Sequence, residues 1–281
     1  MNEDISYHNE NFPVGMLVKP KFQTIIKAYY TAARFADDIA DSSLLSKEEK
    51  IAKLNDIRDA FLNPLTGNSY MNIRKLGKMF VAEQLDASLF TDLLVAFERD
   101  AEQKKISIWE ELLDYCRYSA APVGRFLLAL HDENPSAYLP AENLCIILQI
   151  LDHLGDIKDD YSLLRRVYIP DDILSQYNIC KTDLGLSYTK PEIKEMLAEI
   201  IAKLEAMQAD TKVLPSLIKD FRLRFEVCVI LSLTNSMIQK YKKVDILQCS
   251  PNLGMISWCK AFSQGFVRAI FCKYQNQRPV I

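Results

Sequence analysis

The sequence has few of the residues that build sheets, disulfide frameworks or nucleic-acid-binding surfaces. Its 281 residues include only 8 glycines, and its 7 cysteines are never spaced as CxxC. An odd number of cysteines without such spacing predicts neither a disulfide framework nor a zinc site. A net charge of −3 offers no basic face, which nucleic-acid-binding proteins usually carry. We therefore expect a cytoplasmic protein with reduced thiols and no nucleic-acid partner.

The sequence also lacks the fingerprints of redox and nucleotide cofactors. It has no GxGxxG motif, and Gly77-Lys78 is followed by Met79 rather than by the serine or threonine of a P-loop. No stretch is long and apolar enough to span a bilayer, even around residues 227–233. We expect a reaction without a redox cofactor, in a protein that is soluble or peripheral on a membrane.

What the chain does contain is helical periodicity, because apolar residues recur at intervals of three and four through most of its length. With no linker to divide it, residues 1–281 are expected to form one all-α domain. Capping boxes are predicted at Ser46/Glu49, Ser107/Glu110 and Thr189/Glu192. The predicted helices include 21–41, 73–80, 87–103, 141–161, 189–211, 215–240 and 255–274. The first of them is expected to bury Ile25, Ala28, Ala32, Phe35 and Ile39.

One predicted helix, ISIWEELLDYCRYSAAPVGRFLLALH, carries Pro122 and Gly124 in its interior. An interior proline removes a backbone hydrogen bond and kinks a helix, at a cost of about 3 kcal/mol. A kink beside such small residues indicates a cavity wall. The alternative is a loop that separates two shorter helices.

Two pairs of aspartates stand on these predicted helices. Asp37 and Asp41 lie in ARFADDIAD, and Asp156 and Asp160 lie in LGDIKDDY. A separation of four places both carboxylates of a pair on one helix face, about 5.4 Å apart along the axis. Carboxylates about 6 Å apart in a protein interior repel by roughly 3 kcal/mol. If buried, the pairs therefore need cations, and Mg²⁺ bridged by a diphosphate fits such a site.

Neighbouring residues support more than one interpretation. Arg34 is placed either to hold a phosphate or to pair with Asp37 and Asp38, and Arg165 and Arg166 either close over a diphosphate or stay solvated. The histidines are scattered, so a histidine-centred triad is not expected. Aromatic residues are placed either to steady a carbocation through their ring faces or to fill the core, namely Tyr29, Tyr30, Tyr115, Tyr118 and Phe126.

Four segments, in order, resemble the landmarks of squalene and phytoene synthases: ENFPVG, YYTAARFADDIAD, YCRYSAAPVGRFLLALH, and LQILDHLGDIKDDY followed by RRVYIP. The first and third are most similar to the hopanoid-associated hydroxysqualene synthase branch. The resemblance implies an isoprenoid synthase fold, a helical bundle around a central cavity. It further implies that Mg²⁺ is bound by Asp37, Asp41, Asp156 and Asp160. The substrate residues it implies are Tyr30, Arg34, Tyr115, Val123, Gly124, Arg125, Gln149, Asp152, Arg166 and Tyr168.

The activity implied by this resemblance is conversion of presqualene diphosphate to hydroxysqualene and diphosphate. A related synthase would form that substrate from two farnesyl diphosphates. Two alternatives stay open: head-to-head condensation of prenyl diphosphates to presqualene diphosphate, dehydrosqualene or phytoene, and a non-catalytic assembly or binding role. The sequence departs from the family pattern at Asp152, Gly155, Arg165 and Ser250-Pro251.

The last predicted helix mixes aromatic and basic residues, with Trp258 and Phe262 beside Lys260 and Arg268. Such a helix suits the surface of a membrane, and we expect peripheral contact there. The alternative is a helix that closes the core.

Overall fold

The computed structural model describes residues 15 and 17–272. All regular elements in this part of the chain are helical, which confirms the all-α prediction. The ENFPV segment and the last residues of the final predicted helix lie outside the described residues. The helices are α1 (Pro20–Asp41), α2 (Lys47–Leu62), α3 (Met71–Ala82), α4 (Ser88–Ala101), α5 (Trp109–Ser119), α6 (Ala121–Leu130), α7 (Tyr138–Gly155), α8 (Ile157–Asp159), α9 (Asp171–Gln176), α10 (Pro191–Thr211), α11 (Leu214–Leu217), α12 (Phe221–Tyr241) and α13 (Met255–Phe271). Along these ranges, no helix is both long and apolar enough to cross a membrane.

Helix α1 matches its predicted range, but one residue of its predicted buried face is placed wrongly. Pro20 occupies the first turn, where its missing N–H costs nothing. Ile25, Ala32 and Ile39 are buried as predicted and Ala28 is partly buried against the same core, whereas Phe35 is 43% exposed. Its ring lies edge-on to that of Tyr70, 6.1 Å away, because Ala36 takes the inward position of that turn. The apolar periodicity alone did not distinguish these adjacent positions.

Of the three predicted capping boxes, only Ser46/Glu49 forms, and it opens α2. The prediction at Ser107 is wrong because α5 begins two residues later, and the Ser107 amide donates to Glu111 instead, at 2.6 Å. The prediction at Thr189 is also wrong, since Thr189 bonds the Asp245 carboxylate and Pro191 supplies the first turn of α10.

The segment containing Pro122 forms two helices rather than one kinked helix. Ala120 has a non-helical backbone (φ −127°, ψ −43°) between α5 and α6, and Pro122 lies in the first turn of α6. There proline removes no bond that the helix needs. The alternative of two shorter helices is therefore the one that the structure adopts, with a single residue between them.

Helix α7 was predicted to continue to Tyr161 but ends at Gly155. A Cβ at Gly155 would lie 2.8 Å from the Tyr241 hydroxyl, which donates to the Leu151 carbonyl. Short helical turns then carry the chain to residue 164, and Arg165 has a left-handed backbone (φ 58°). The amide of Asp160 still bonds the carbonyl of Asp156 at 2.8 Å, so the one-turn spacing of the second pair survives.

The buried residues form two large apolar clusters on either side of a cavity. One joins α1, α2, α3, α4 and α6 with part of α12, and the other joins α5, α7, α9 and α10 with the end of α12. One aspartate pair belongs to α1, and the other belongs to the segment that directly follows α7. The two clusters therefore place both pairs beside the same cavity.

Glu226 on α12 holds the chain that leads into α1. Its carboxylate accepts hydrogen bonds from the amides of Gly15 and Leu17, the latter at 2.7 Å, and its side chain is buried. Burial raises the pKa of Glu226 to about 7, and the two amide donors lower it only in part. The folded protein therefore binds a proton at Glu226 more tightly than the unfolded chain does.

We expect this carboxyl group to make the protein less stable as pH rises from about 4.5 to about 7. Below pH about 4.5, Glu226 is protonated in both the folded and the unfolded protein. Above pH about 7 the carboxylate is ionised while it stays buried, which lowers the free energy of unfolding by up to about 3 kcal/mol. The Glu226→Gln variant should show a flatter dependence of unfolding free energy on pH, measured by urea titration. Parallel pH curves for the two proteins would contradict this assignment, whatever the constant difference between them.

Candidate active site

A cavity of about 420 Å³ lies between α1, α4, α5, α7 and the segment that follows α8. The structure brings eleven of the predicted site residues to its wall: Tyr30, Arg34, Asp37, Asp41, Tyr115, Gln149, Asp152, Asp156, Asp160, Arg166 and Tyr168. Residues that the sequence analysis did not assign to the site complete the lining, namely Ala33, Phe97, Asp100, Ser119, His153 and Leu164.

The first aspartate pair projects from α1 and carries an electrostatic penalty. Asp37 is half-buried, and burial together with the charge of Asp41 raises its pKa to about 7, although Arg34 opposes the shift. A carboxyl group in such surroundings prefers either a proton or a cation. This is the behaviour predicted for a buried pair rather than for a pair on a solvated helix face.

Arg34 pairs with carboxylates of its own helix. Its guanidinium lies 3.4 Å from the Asp37 carboxylate and 3.0 Å from that of Asp38. The sequence left this pairing open beside a phosphate-binding role. Arg34 also lines the cavity, so its guanidinium stands at the edge of the space that a ligand would occupy.

Arg166 joins the segment after the second pair to the end of α1. Its guanidinium donates to the Asp41 carboxylate at 2.5 Å and to the Ala40 carbonyl at 2.9 Å. Burial opposes the charge of Arg166, but Asp100, Tyr168 and Asp41 outweigh that effect and raise its pKa. The Nε atom is buried without a hydrogen-bond acceptor, so one N–H of this side chain is unsatisfied. Arg165, by contrast, is exposed and does not line the cavity.

The second pair lies within a run of three carboxylates on successive turns, Asp152, Asp156 and Asp160. Asp156 is partly open to solvent, yet burial and then the charges of Asp152 and Asp160 raise its pKa to about 6. One oxygen of Asp160 is buried without a hydrogen-bond donor, and it lies 3.8 Å from Nδ1 of His153. The departure from the family pattern at Asp152 thus adds a negative charge to this wall.

His153 is a site residue that the sequence analysis missed, because scattered histidines gave no local pattern. Its ring stacks on that of Tyr168 at a centroid distance of 3.7 Å, and its Nε2 lies 3.2 Å from the Gln149 amide. Tyr115 packs beside both rings. This stack fixes the wall that carries Asp160.

Asp100 is the second missed residue, and it is buried. It accepts hydrogen bonds from the hydroxyl groups of Tyr115 at 2.8 Å and Tyr168 at 3.0 Å. Burial raises its pKa, while Arg166 and the two hydroxyl groups partly offset that rise. A signal was present in the sequence, since Asp100 continues the apolar i, i+4, i+7 stripe of Leu93 and Phe97 on α4.

Three predicted residues from the start of α6 do not reach this cavity. Gly124 allows α6 to approach α7, because a Cβ there would lie 2.8 Å from Sγ of Cys145. Arg125 forms ion pairs with Asp92 at 3.0 Å and Glu142 at 3.7 Å, so two carboxylates of the fold already balance its positive charge. Val123 lines a second, apolar cavity.

That apolar cavity has a volume of about 160 Å³ and shares Tyr30, Ala33, Phe97 and Ser119 with the polar one. Its far wall includes Tyr29 and Phe126, whose rings stack at 4.2 Å. Among the aromatic residues proposed to face a carbocation, Tyr118 is elsewhere, beneath the Arg99 guanidinium. The site thus has a charged chamber that adjoins an apolar one, with these four residues common to both walls.

The charged chamber suits divalent cations. Six aspartates line it, namely Asp37, Asp41, Asp100, Asp152, Asp156 and Asp160, against the two guanidinium groups of Arg34 and Arg166. Across the described part of the chain, no three ligand side chains already form a metal cluster. Mg²⁺ needs no such cluster, since it takes one or two protein carboxylates and completes its shell with water and phosphate oxygens. The raised pKa values of Asp37 and Asp156 and the unpartnered oxygen of Asp160 fit this ion.

Comparison with known proteins gives a consistent result. A sequence model of a family described as squalene/phytoene synthase matches residues 5–245. A hydroxysqualene synthase of Zymomonas mobilis is 36% identical over 246 residues, which cover 86% of this chain and 82% of that protein. A hydroxysqualene synthase of Rhodopseudomonas palustris is 32% identical over 279 residues, covering 98% and 95%.

A solved structure supports the fold. The squalene synthase HpnC from Alicyclobacillus acidocaldarius superposes with a TM-score of 0.70 at 24% identity, covering 80% of this chain and 85% of that one. Together with the described helices, this similarity identifies an all-α isoprenoid synthase fold.

Proposed function

Because the chain belongs to the squalene/phytoene synthase family, and is an enzyme of that family, we propose that it converts presqualene diphosphate to hydroxysqualene and diphosphate. This reaction lies on the route from farnesyl diphosphate to squalene and hopanoids. The observation that carries the proposal is the junction of the charged and apolar chambers. It matches a substrate with a diphosphate head and a long hydrocarbon body.

We propose that Asp37, Asp41, Asp156 and Asp160 hold Mg²⁺. When bound there, the ions act as Lewis acids that neutralise the charge developing on the departing diphosphate. The protein contributes the two facing walls, which the ion pair between Arg166 and Asp41 links.

The remaining residues of the charged chamber bind and orient the head of the substrate. Arg34 and Arg166 supply guanidinium groups, which suit phosphate oxygens because of their planar fork. The Nε–H of Arg166 is buried without an acceptor, and we propose that a bound phosphate oxygen supplies one. Tyr115, Gln149, Asp152 and Tyr168 complete the wall around that head.

The apolar chamber receives the part of the hydrocarbon body nearest the head. The carbon–oxygen bond to diphosphate breaks, the cyclopropylcarbinyl cation rearranges, and water adds to the resulting cation and loses a proton. Tyr30 and Phe126 line this chamber, where an aromatic ring face turned toward the cation would stabilise positive charge. The reaction balances without a reductant.

Two further features belong to this proposal. We infer that residues 1–281 act as one domain, and that a related synthase forms presqualene diphosphate from two farnesyl diphosphates. Head-to-head condensation by this chain is the competing hypothesis, since prenyl diphosphates have the same polar head and apolar body as presqualene diphosphate. A non-catalytic role is disfavoured because all four predicted metal ligands line the cavity.

Product identification tests the reaction directly. Incubated separately with farnesyl diphosphate and presqualene diphosphate, with Mg²⁺ and no reductant, the protein should form hydroxysqualene only from the second, as detected by mass spectrometry. A C30 product from farnesyl diphosphate would instead establish condensation. Turnover of neither substrate would contradict both hypotheses.

The metal site makes a separate prediction. Replacing Asp156 or Asp160 with Asn should reduce Mg²⁺-dependent release of diphosphate by about a hundredfold or more, since one charged ligand is lost. The helical circular dichroism should not change. Asp159→Asn is the matched control, because Asp159 is exposed and does not line the cavity. Unchanged turnover in the first two variants would remove both residues from the metal site.

A further inference from the structure

Helix α13 packs on the protein through its smallest side chains. Its buried residues are Ala261, Gly265 and Ala269, spaced four apart on one face. A Cβ at Gly265 would lie 3.0 Å from the backbone nitrogen of Val229, so α12 and α13 are in close backbone contact. Of the large apolar residues of α13, Trp258 and Phe262 pack partly buried beside this face, where Phe262 meets the Phe225 ring of α12.

The other large apolar residues of α13 are exposed. Phe266, Val267, Ile270 and Phe271 are 48%, 53%, 52% and 78% exposed, and Met255 and Ile256 at the other end exceed 80%. At its second end the exposed surface continues onto α12, where the ring of Phe221 contacts that of Phe266. We call these residues the outer face of α13: Phe221, Met255, Ile256, Phe266, Val267, Ile270 and Phe271.

Positive charge accompanies the outer face. A cleft of about 240 Å³ between α10, α12 and α13 is lined by Lys212 and Arg268 together with hydroxyl and amide side chains, and by no carboxylate. Within the described residues neither cation has a carboxylate partner. From residue 246 to residue 281 the sequence has four basic and no acidic residues, in a chain of net charge −3.

We propose that the outer face of α13 docks on an anionic phospholipid bilayer. The helix lies flat, its apolar side chains enter the boundary between headgroups and acyl chains, and the cleft at Lys212 and Arg268 receives lipid phosphate. A second copy of this chain is a poorer occupant, because a two-fold interface repeats the same patch and brings these cations together. The docking does not depend on which reaction the enzyme catalyses.

Co-sedimentation with vesicles tests the docking with the full chain. The protein should bind vesicles containing phosphatidylglycerol more tightly than pure phosphatidylcholine vesicles, and added salt should weaken the binding. The double variant Ile270→Ser/Phe271→Ser should bind at least about tenfold more weakly. Val81→Ser/Leu139→Ser is the matched control, because those residues are 71% and 67% exposed elsewhere.

The double variant Lys212→Gln/Lys260→Gln removes two exposed positive charges and tests what charge contributes to vesicle binding. This variant should lose only the preference for anionic vesicles. No binding by the unaltered protein, or equal binding by all variants, would overturn the proposal. A dimer that only the Ile270→Ser/Phe271→Ser variant dissociates would show that a second copy covers this face.

A different observation concerns Ser119, the last residue of α5. It lies on the wall shared by the charged and apolar chambers. Its Oγ atom is buried and has no hydrogen-bond partner. A rotation of the Ser119 side chain would turn this hydroxyl group toward the apolar chamber, where it would hold one water molecule among few other polar groups.

We infer that Ser119 positions the water that captures the carbocation, an inference that rests on the proposed function. The water oxygen forms the new carbon–oxygen bond, and its proton passes to the diphosphate already released. Without that water, the cation loses a proton from carbon and gives a triterpene hydrocarbon. Ser119 is thus a positioning residue that determines which product forms.

The test is the product ratio from presqualene diphosphate. Ser119→Ala should shift at least about half of the product from alcohol to hydrocarbon, and Ser119→Thr, which keeps a hydroxyl group, should restore the alcohol. Ser136→Ala is the matched control, since Ser136 also has a buried Oγ without a partner but does not line either chamber. An unchanged ratio in Ser119→Ala overturns the inference, whereas absence of alcohol from the unaltered protein overturns the proposed function instead.

Discussion

Repulsion among carboxylates around a single cavity is the constraint on which this structure depends. The fold gathers six aspartates against two arginines, and burial followed by the charges of neighbouring carboxylates raises the pKa values of Asp37 and Asp156. The ion pair between Arg166 and Asp41 offsets part of the repulsion among these carboxylates. It also links the segment after α8 to the end of α1. The two apolar clusters on either side supply the stability that allows the cavity to remain charged.

Sequence reasoning predicted the residues whose role depends on local spacing. Asp37 and Asp41 could be assigned because a helix fixes the separation of residues four apart, and Asp156 and Asp160 keep that separation even where α7 ends. His153 and Asp100 were missed because their roles depend on contacts with Tyr168 and Tyr115, which come from other elements. Such contacts follow from packing and not from any local pattern.

The departures from the family pattern now have partial physical explanations. Gly155 permits close packing of Tyr241, so its lower helix propensity is compensated by a contact that alanine would obstruct. Arg165 adopts a left-handed backbone and points to solvent, which leaves the buried role to Arg166. The two failed capping boxes show a related limit, because serine and threonine patterns compete with tertiary partners such as Asp245.

The wall shared by the two chambers has a consequence for substrate orientation. Because charge lies on one side of Tyr30 and Phe97 and apolar surface on the other, a molecule with one polar end can enter in only one direction. Orientation is then decided by desolvation rather than by shape, since the reversed pose would bury phosphate among rings and leave hydrocarbon among carboxylates. Orientation of this kind does not depend on the length of the hydrocarbon chain, because it is set by the end of the molecule that carries the charge.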